Sequence, residues 1–253
     1  MITYRKKRKA IVSTKPIIVY GRNACRSAVY SGQAERLYYL SRLEDDEVVR
    51  LAKERGLWAR PSDEPSLARL SGHAPHQGLV CQVRPAEPIP LKELIAQSRK
   101  SEYPTIVLLD GIEDPHNLGA ILRSADAFGA DGVVVRLRGQ APLNATTYRT
   151  SAGAACYVKL SIVSSLSNAV RELKANGFWI VSSEGSASLS YLDVDYKVPI
   201  ALVVGSEGKG ISRLVLEESD FVVKIPMHGH VNSLNASVAA GIFLAQIDAC
   251  RIK

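Results

Sequence analysis

The stretch that most constrains the fold is residues 201–250, where a short apolar strand, a glycine-rich or polar loop and a helix occur twice in succession. Its two halves read ALVVGSEGKGIS and FVVKIPMHGHVNSLNASVAAGIFLAQIDAC. Units of this kind build parallel sheets covered by helices, and they bring their loops together at the carboxyl ends of the strands. The same design occurs at 106–129, with a helix cap predicted at Asn117 and a helix end at Gly129. We therefore expect an α/β protein in which loops from several strands share a site.

The loop at 205–210 (GSEGKG) contains enough glycine to suggest a phosphate-binding loop. A P-loop nucleotidase needs a glycine five residues before the Gly-Lys pair and a serine or threonine after the lysine. This chain has Val203 and Gly210 at those positions, so the spacing excludes that class of enzyme. No Gly-x-Gly-x-x-Gly motif follows a predicted strand either, so residue patterns alone do not point to a nucleotide cofactor.

The composition is typical of a soluble protein of one or two domains, with 46% hydrophobic and 23% charged residues among 253. No apolar run approaches the roughly 20 residues needed to span a bilayer, and no signal peptide is recognisable. We therefore expect a cytoplasmic protein with no membrane partner. The four cysteines lack Cys-x-x-Cys spacing, and the five histidines lack a neighbouring cysteine cluster. This pattern favours reduced thiols and predicts no metal site.

Positive charge is concentrated at the amino terminus. The net charge is +7, and residues 1–15 contain six lysines and arginines and no acidic residue, so the rest of the chain carries only +1. A run of like charges cannot build a core, so we expect 1–15 to be a flexible basic tail. Two interpretations stay open: the tail contacts nucleic-acid phosphates, or it only solubilises or targets the protein.

Three further segments follow the tail. Residues 16–85 alternate short strands and helices, which predicts a small α/β domain. Clustered prolines mark 86–103 as a linker that contains one short helix. From 104 to 253 strands and helices alternate to the end, which predicts a mostly parallel sheet covered by helices.

Three motifs contain the polar residues of this last segment: N-L-G-A-I-x-R-S at 117–124, V-G-S-E-G-x-G at 204–210 and I-P-M-x-G-x-V-x-S-L-N-x-S-V-A at 225–239. In order and content they resemble the three motifs of the SpoU-TrmH superfamily, whose members are S-adenosyl-L-methionine-dependent RNA 2′-O-ribose methyltransferases. The resemblance covers about the last 150 residues. Ala236 departs from the pattern, where valine often stands, but the polar residues are intact.

The resemblance implies a fold that pattern rules would not predict, because knots are rare in proteins. In this superfamily the carboxy-terminal chain passes through a loop to form a deep trefoil knot, and the knotted loops bind the cofactor. Gly205, Ile225, Met227 and Leu234 are then expected to contact S-adenosyl-L-methionine, largely through backbone groups. Taken singly, each could instead be a turn glycine or a core residue. The superfamily also implies a homodimer formed through this domain.

Methyl transfer to a ribose hydroxyl requires that its proton be accepted or that the developing negative charge be stabilised. By resemblance, the candidates are Arg123, Glu207, Ser233 and Asn235, with Asn117 in a positioning role. The arginine matched by Arg123 is proposed as a base in the superfamily, but a guanidinium holds its proton too tightly for that. We assign Arg123 to clamping phosphate and the nascent oxyanion. Without the motifs, Arg123 would be an exposed helix arginine, and Ser233 and Asn235 would be helix caps.

Two short stretches, Gly21-Arg22-Asn23 and His76-Gln77-Gly78, resemble the substrate-binding domain that many superfamily members carry, a unit similar to ribosomal proteins that bind RNA turns. Arg22 and Asn23 are then expected to meet phosphates at a helix amino terminus, and His76 and Gln77 to contact an unpaired base. Each also has a structural interpretation, with Asn23 capping its helix and Gln77 satisfying a loop backbone.

Together these features predict an RNA 2′-O-ribose methyltransferase. Ribosomal RNA is the favoured substrate because of the separate amino-terminal domain, and transfer RNA is the main alternative. The rival from another class is a catalytically inactive RNA-binding protein of the same fold. Retention of all the polar motif residues argues against that rival.

Overall fold

The computed structural model describes Val12, residues 16–85 and residues 87–252. Apart from Val12, the basic tail predicted at 1–15 lies outside the described residues. The described residues divide into two compact units. The first contains Val12, residues 16–85, residue 87 and the segment 142–157, and the second contains 88–141 and 158–252.

The helices and strands alternate along most of the chain. In chain order the strands are β1 (Ile17–Tyr20), β2 (Ala34–Leu40), β3 (Trp58–Ser62), β4 (Leu79–Val83), β5 (Thr105–Asp110), β6 (Gly132–Arg136), β7 (Leu160–Val163), β8 (Trp179–Ser183), β9 (Leu189–Ser190), β10 (Ile200–Gly205) and β11 (Phe221–Lys224). The α-helices are α1 (Arg22–Ser31), α2 (Glu47–Glu54), α3 (Glu64–Ser71), α4 (Leu91–Ser98), α5 (Pro115–Ala127), α6 (Ala145–Thr150), α7 (Leu166–Ala175), α8 (Arg213–Glu217) and α9 (Ala236–Arg251).

The first unit contains a four-stranded sheet in the order β1-β4-β2-β3. Strand β4 runs antiparallel to β1 and β2, and β2 pairs in parallel with β3. The segment 142–157 is tied into this unit by Gln33, whose Nε2 donates to the carbonyl of Cys156 at 2.8 Å and whose Oε1 accepts from the Tyr148 hydroxyl at 3.2 Å. No sequence pattern indicates this pairing, because it joins positions more than a hundred residues apart.

The second unit contains a seven-stranded sheet in the order β7-β6-β5-β10-β8-β11-β9, and every pairing is parallel. All of β5 is buried, as expected for a parallel strand covered on both faces. Helix α4 belongs to this core through Leu94, which lies against Gly132; a Cβ at 132 would come within 2.4 Å of a Leu94 methyl. The predicted α/β class with a parallel sheet is confirmed.

The ends of these helices follow from local capping residues, and one cap predicted from the sequence is wrong. Helix α1 is followed by Gly32, which adopts φ 76° and accounts for the helix end. Helix α5 begins earlier than predicted, because Asp114 is its cap and accepts from the N–H of His116 at 2.8 Å, with Pro115 in the first turn. The prediction that Asn117 is the cap is therefore wrong. Its side chain is left free for other contacts.

All four cysteines are free thiols. Cys25, Cys81 and Cys156 are buried, and burial raises the pKa of the Cys156 thiol to about 12. Such thiols are unreactive structural side chains. Within the described ranges, no helix combines the length and the apolar character that crossing a membrane requires.

Candidate functional site

Four neighbouring strands of the second sheet end at one edge, and the loops after them build the candidate site. β5 ends at Asp110, β8 at Ser183, β10 at Gly205 and β11 at Lys224. The four strands are adjacent and parallel, so their following loops lie side by side. The sequence predicted loop chemistry at this edge.

Asp110 fastens the loop that follows β10. Its side chain is only 3% exposed, and Oδ2 accepts from the N–H of Ser212 at 2.7 Å. Its backbone carbonyl accepts from the N–H of Ser206 at 3.1 Å, and Oδ1 pairs with Nη1 of Arg136 at 3.2 Å. One buried aspartate thus holds both ends of 206–212. Sequence reasoning missed Asp110, although an acidic residue that ends an apolar strand is a usable signal.

The loop at 205–210 closes tightly on itself. The N–H of Gly210 donates to the carbonyl of Ser206 at 2.9 Å. A Cβ at Gly205 would lie 2.3 Å from the carbonyl carbon of Gly210, far inside van der Waals contact. Gly210 itself has φ 62°, a conformation that favours glycine. The glycines at 205 and 210 therefore shape the loop through close backbone approach.

A hydrogen-bonded cluster joins one residue from each of the three motifs. Oε1 of Glu207 accepts from Nδ2 of Asn117 at 3.1 Å and from Nδ2 of Asn235. Nδ2 of Asn235 also donates to Oδ1 of Asn117 at 2.9 Å, and the N–H of Ala236 approaches Oε1 of Glu207 at 3.4 Å. The structure thus brings together three of the five residues assigned to catalysis from the sequence.

Asn235 combines this contact with helix capping. Its Oδ1 accepts from the N–H groups of Ser237 at 2.9 Å and Val238 at 3.3 Å, which caps α9. The amide nitrogen of the same side chain points to the cluster. The capping interpretation of Asn235 is therefore confirmed, its catalytic role stays a prediction, and capping fixes the rotamer that the cluster uses.

A cavity of about 470 Å³ lies against the loops that follow β8, β10 and β11. Its lining includes Gly205, Ile225, Met227 and Leu234, the residues predicted to contact a cofactor. Ser233, another of the residues assigned to catalysis from the sequence, lines the same cavity and is exposed. The lining also contains functional candidates that sequence reasoning missed: Glu184, Ser186, Lys224 and Asn232. Glu184 was detectable in principle, because it directly follows a strand that ends at the site edge.

A second cavity of about 280 Å³ adjoins the first across the loop 206–209. Its wall contains Glu113, Asp114 and Asn117 on one side and Glu207 on the other. The Asn117–Glu207–Asn235 cluster therefore lies where the two cavities meet.

Arg123 is placed differently. It lies six residues after Asn117 on α5 and so points to another side of that helix. Its side chain is exposed and makes no hydrogen bond or ion pair with any described residue. Within one chain, Arg123 does not join the cluster.

The residues predicted to bind RNA lie in the first unit. Arg22 is half exposed and forms an ion pair with Asp46, and its N–H donates to Oε1 of Gln77 at 2.9 Å. Asn23 is exposed on the first turn of α1. His76 is 6% exposed: its Nδ1 accepts from the N–H of Gly78 at 3.1 Å and its Nε2 lies 3.2 Å from Glu64. These contacts favour structural work for His76 and Gln77, and their RNA contacts stay a prediction.

Among the residues that the structure describes, no three histidine, cysteine or acidic side chains are grouped so that they could hold a metal ion.

The sequence matches two known family models. Residues 104–245 match the SpoU rRNA Methylase family, and residues 18–89 match the family described as RNA 2′-O ribose methyltransferase substrate binding. A protein of Staphylococcus haemolyticus named as a TrmH family tRNA/rRNA methyltransferase is 39% identical over 236 residues, which cover 91% of this chain and 94% of that protein.

Solved structures agree in fold. The rRNA methyltransferase of Sinorhizobium meliloti with AdoMet bound superposes with a TM-score of 0.80 at 24% identity, covering 99% of this chain and 95% of that one. The A. aeolicus TrmH/SpoU tRNA modifying enzyme has a TM-score of 0.55 at 33% identity, covering 64% and 82%. SpoU methyltransferases have a trefoil knot, so the knotted fold predicted from the motifs is confirmed. The chain belongs to the SpoU-TrmH family of S-adenosyl-L-methionine-dependent RNA methyltransferases.

Proposed function

We propose that this protein transfers the methyl group of S-adenosyl-L-methionine to a ribose 2′-hydroxyl of RNA, with ribosomal RNA as the substrate class. The observation that carries the proposal is the position of the Asn117–Glu207–Asn235 cluster at the meeting point of two cavities of about 470 and 280 Å³. The larger cavity suits a methyl donor and the smaller one suits an acceptor nucleotide. The polar groups stand between them, where transfer would occur.

The larger cavity fits the cofactor in size and in chemistry. Its volume lies within the range of about 300–1,000 Å³ that is usual for small-molecule sites. Ile225, Met227 and Leu234 would provide apolar surface for the adenine ring of the cofactor. The Glu184 carboxylate suits the hydroxyl or ammonium groups of the cofactor, and the loop 205–210 offers backbone groups. When bound, the cofactor supplies an electrophilic methyl group on a sulfonium.

The chain itself contributes alignment and the handling of one proton. Alignment of donor and acceptor supplies much of the acceleration in such a displacement. Asn117 and Asn235, tied together by Glu207, are positioned to hold the acceptor ribose. Oε2 of Glu207 receives no hydrogen bond from a described residue, and we assign to it the acceptance of the 2′-hydroxyl proton. To the Ser233 hydroxyl, which belongs to a residue lining the larger cavity, we assign donation to the developing oxyanion.

Arg123 completes the proposal as a clamp for RNA phosphate. It is exposed and has no carboxylate partner among the described residues, so its planar guanidinium is available to an anion. Because it does not join the cluster within one chain, a homodimer is part of the proposal. Light scattering should give twice the mass of the 27.5 kDa chain, and a monomer at working concentration would contradict this part.

The test is methylation of RNA from cells that lack this protein, with labelled cofactor and with ribosomal and transfer RNA offered separately. We expect label in ribosomal RNA, recovered after nuclease digestion as a 2′-O-methylnucleoside. Asn117→Ala should abolish the transfer, while the control Asn168→Ala on α7, outside both cavities, should not. Label only in transfer RNA would change the substrate class, and label on a base would contradict ribose methylation. Cofactor binding without any transfer would leave an inactive RNA-binding protein.

A further inference from the structure

Two strands of the first unit place aromatic and cationic side chains on one face. Arg36 of β2 lies directly opposite Trp58 of β3, and Tyr38 lies opposite Arg60. Side chains two residues apart on a strand share a face, so these four form one patch. Leu37 and Tyr39, which alternate with them on β2, are buried on the other face. We call the four residues the β2–β3 patch.

The β2–β3 patch is built around an exposed tryptophan. Trp58 is 37% exposed, and the Tyr38 ring meets its indole edge-on with centroids 5.1 Å apart. The guanidinium carbons of Arg36 and Arg60 lie 5.5 and 5.0 Å from the Trp58 centroid. Two cations and a second ring therefore hold the indole in place at the surface of the edge strand.

Among the residues that the structure describes, no carboxylate pairs with the two arginines of this patch. Neither Arg36 nor Arg60 forms an ion pair with a described residue, whereas Arg22, Arg26 and Arg84 of the same unit are all paired with carboxylates. Tyr30 in this unit also lies under two guanidiniums, at 5.3 and 5.9 Å, but its hydroxyl donates to Glu47, which Arg26 also approaches. At Tyr30, Arg26 is paired with Glu47 and Arg55 donates to the backbone carbonyls of Val29 and Tyr30, whereas both cations of the β2–β3 patch are without a carboxylate partner among the described residues.

We propose that the β2–β3 patch binds single-stranded RNA, with Trp58 stacking on an unpaired base and Arg36 and Arg60 contacting the adjacent phosphates. Exposed aromatic rings among unpaired cations match the combination that binds single-stranded nucleic acid, because every base has a stacking face and every link carries a phosphate. This inference rests on the proposed RNA substrate. It adds a binding surface on the strands to the loop residues predicted from the sequence.

Other partners fit this surface less well. A second copy of the chain, docked symmetrically, would bring like charges together on an isologous interface. Strand addition at the β3 edge is obstructed by Pro61, which lacks a backbone donor. An anionic polymer with flat bases satisfies both the charge and the rings.

Tryptophan fluorescence tests the proposal directly, because the chain contains only two tryptophans. In Trp179→Phe, Trp58 is the single indole, and we expect single-stranded oligoadenylate to quench it on binding. In the matched Trp58→Phe variant, the remaining Trp179 should not be quenched. Trp58→Ala should weaken binding of the oligonucleotide about ten-fold, while Tyr30→Ala should leave it unchanged. Arg36→Gln and Arg60→Gln should each flatten the slope of log affinity against log salt by about 0.7.

Binding of oligoadenylate without quenching in Trp179→Phe would overturn the proposal, as would equal affinity for a duplex of the same length. The result is separable from the proposed enzyme activity. A protein that methylates ribose in RNA but shows no quenching lacks the patch function and keeps the enzymatic one. Quenching in a protein that never methylates RNA gives the reverse.

Discussion

Oε1 of Glu207 collects hydrogen bonds from the side chains of Asn117 and Asn235 and from the backbone of Ala236. The donors belong to the start of two helices that are far apart in sequence. A single carboxylate oxygen therefore sets the separation of the two amides, while the other oxygen faces no donor of the described protein. The Asn117–Glu207–Asn235 cluster therefore leaves one carboxylate oxygen, Oε2 of Glu207, without a donor among the described residues.

Glu207→Gln keeps the size of this side chain but removes the negative charge and one acceptor oxygen. If Oε2 accepts the ribose proton, single-turnover methylation at saturating cofactor should slow by about a hundred-fold or more. The wild-type dependence of the rate on pH should also flatten. Glu217→Gln, on α8 and paired with Arg213, is the control and should retain the wild-type rate. A wild-type rate in Glu207→Gln would remove this carboxylate from the chemistry.

Arg123→Ala and Arg123→Lys distinguish a clamp from a surface side chain. An exposed ion pair is worth only about 0–1 kcal/mol, so a bystander could be changed without loss of turnover. A clamp that needs a planar two-pronged donor should lose nearly all activity as alanine and recover little as lysine. Cofactor affinity, measured by calorimetry, should stay the same in both variants. If lysine instead recovered activity as the pH is raised, Arg123 would be acting as a base.

The members of the Asn117–Glu207–Asn235 cluster were predicted from the sequence, because each belongs to one of the three motifs. The sequence did not show that Asn117 is released from capping, since Asp114 and Asn117 both offer suitable side chains near the start of α5. Only the structure showed that Arg123 lies away from the Asn117–Glu207–Asn235 cluster. Asp110 and Glu184 belong to no motif; Asp110 ends an apolar strand and Glu184 directly follows a strand, but only the structure showed what each of them contacts or lines.

The loop after β10 is the element on which both cavities depend, since residues 206–209 line each of them. It is held from below by Asp110 and closed above by the approach of Gly210 to Gly205. Any change in its path would alter the donor and acceptor cavities together.

Gly205→Ala should disturb this loop more than Gly208→Ala. The new methyl at 205 would meet the Gly210 backbone at 2.3 Å, and backbone cannot yield as a flexible side chain does, whereas position 208 has no atom within 4 Å. Overpacking of this kind costs about 1–3 kcal/mol, so cofactor affinity should fall about ten-fold in Gly205→Ala. Calorimetry with S-adenosyl-L-methionine measures it. Equal affinity in the two variants would show that the loop tolerates a wider path.

Element boundaries were predictable where a local signal decides them. Gly32 ends α1 as its conformation requires, and alternation of apolar strands with helices predicted the parallel sheet. The order of the seven strands, the short β9 and the membership of 142–157 in the first unit were not predictable. All three depend on contacts between distant parts of the chain, which periodicity does not encode.

The proposed cofactor site and the proposed RNA-binding residues lie in different units of the molecule. The second unit contains the Asn117–Glu207–Asn235 cluster and both cavities, and the first contains the β2–β3 patch and the loop residues predicted to contact RNA. The basic segment 1–15 adds six positive charges at the amino terminus.

Deletion of residues 1–15 tests whether those charges act on RNA. If they neutralise phosphates, RNA affinity should fall, and on single strands the slope of log affinity against log salt should flatten by up to about 0.7 for each phosphate that is no longer neutralised. Titration at several salt concentrations gives both quantities, and the affinity for S-adenosyl-L-methionine serves as the control. Unchanged affinity and slope would leave the segment with a solubilising or targeting role.

The segment 142–157 returns the chain to the first unit after two strands of the second have been made. Tyr148 and Cys156 of this segment are buried, and the side chain of Gln33 is hydrogen bonded to both residues. On the ribosome, domains usually fold in the order in which they emerge. Here the amino-terminal unit lacks its final piece until residue 157 has left the exit tunnel, by which time β5, α5 and β6 are already exposed. We therefore expect the two units to fold in an interleaved order, with part of the second unit already synthesised before the first is complete.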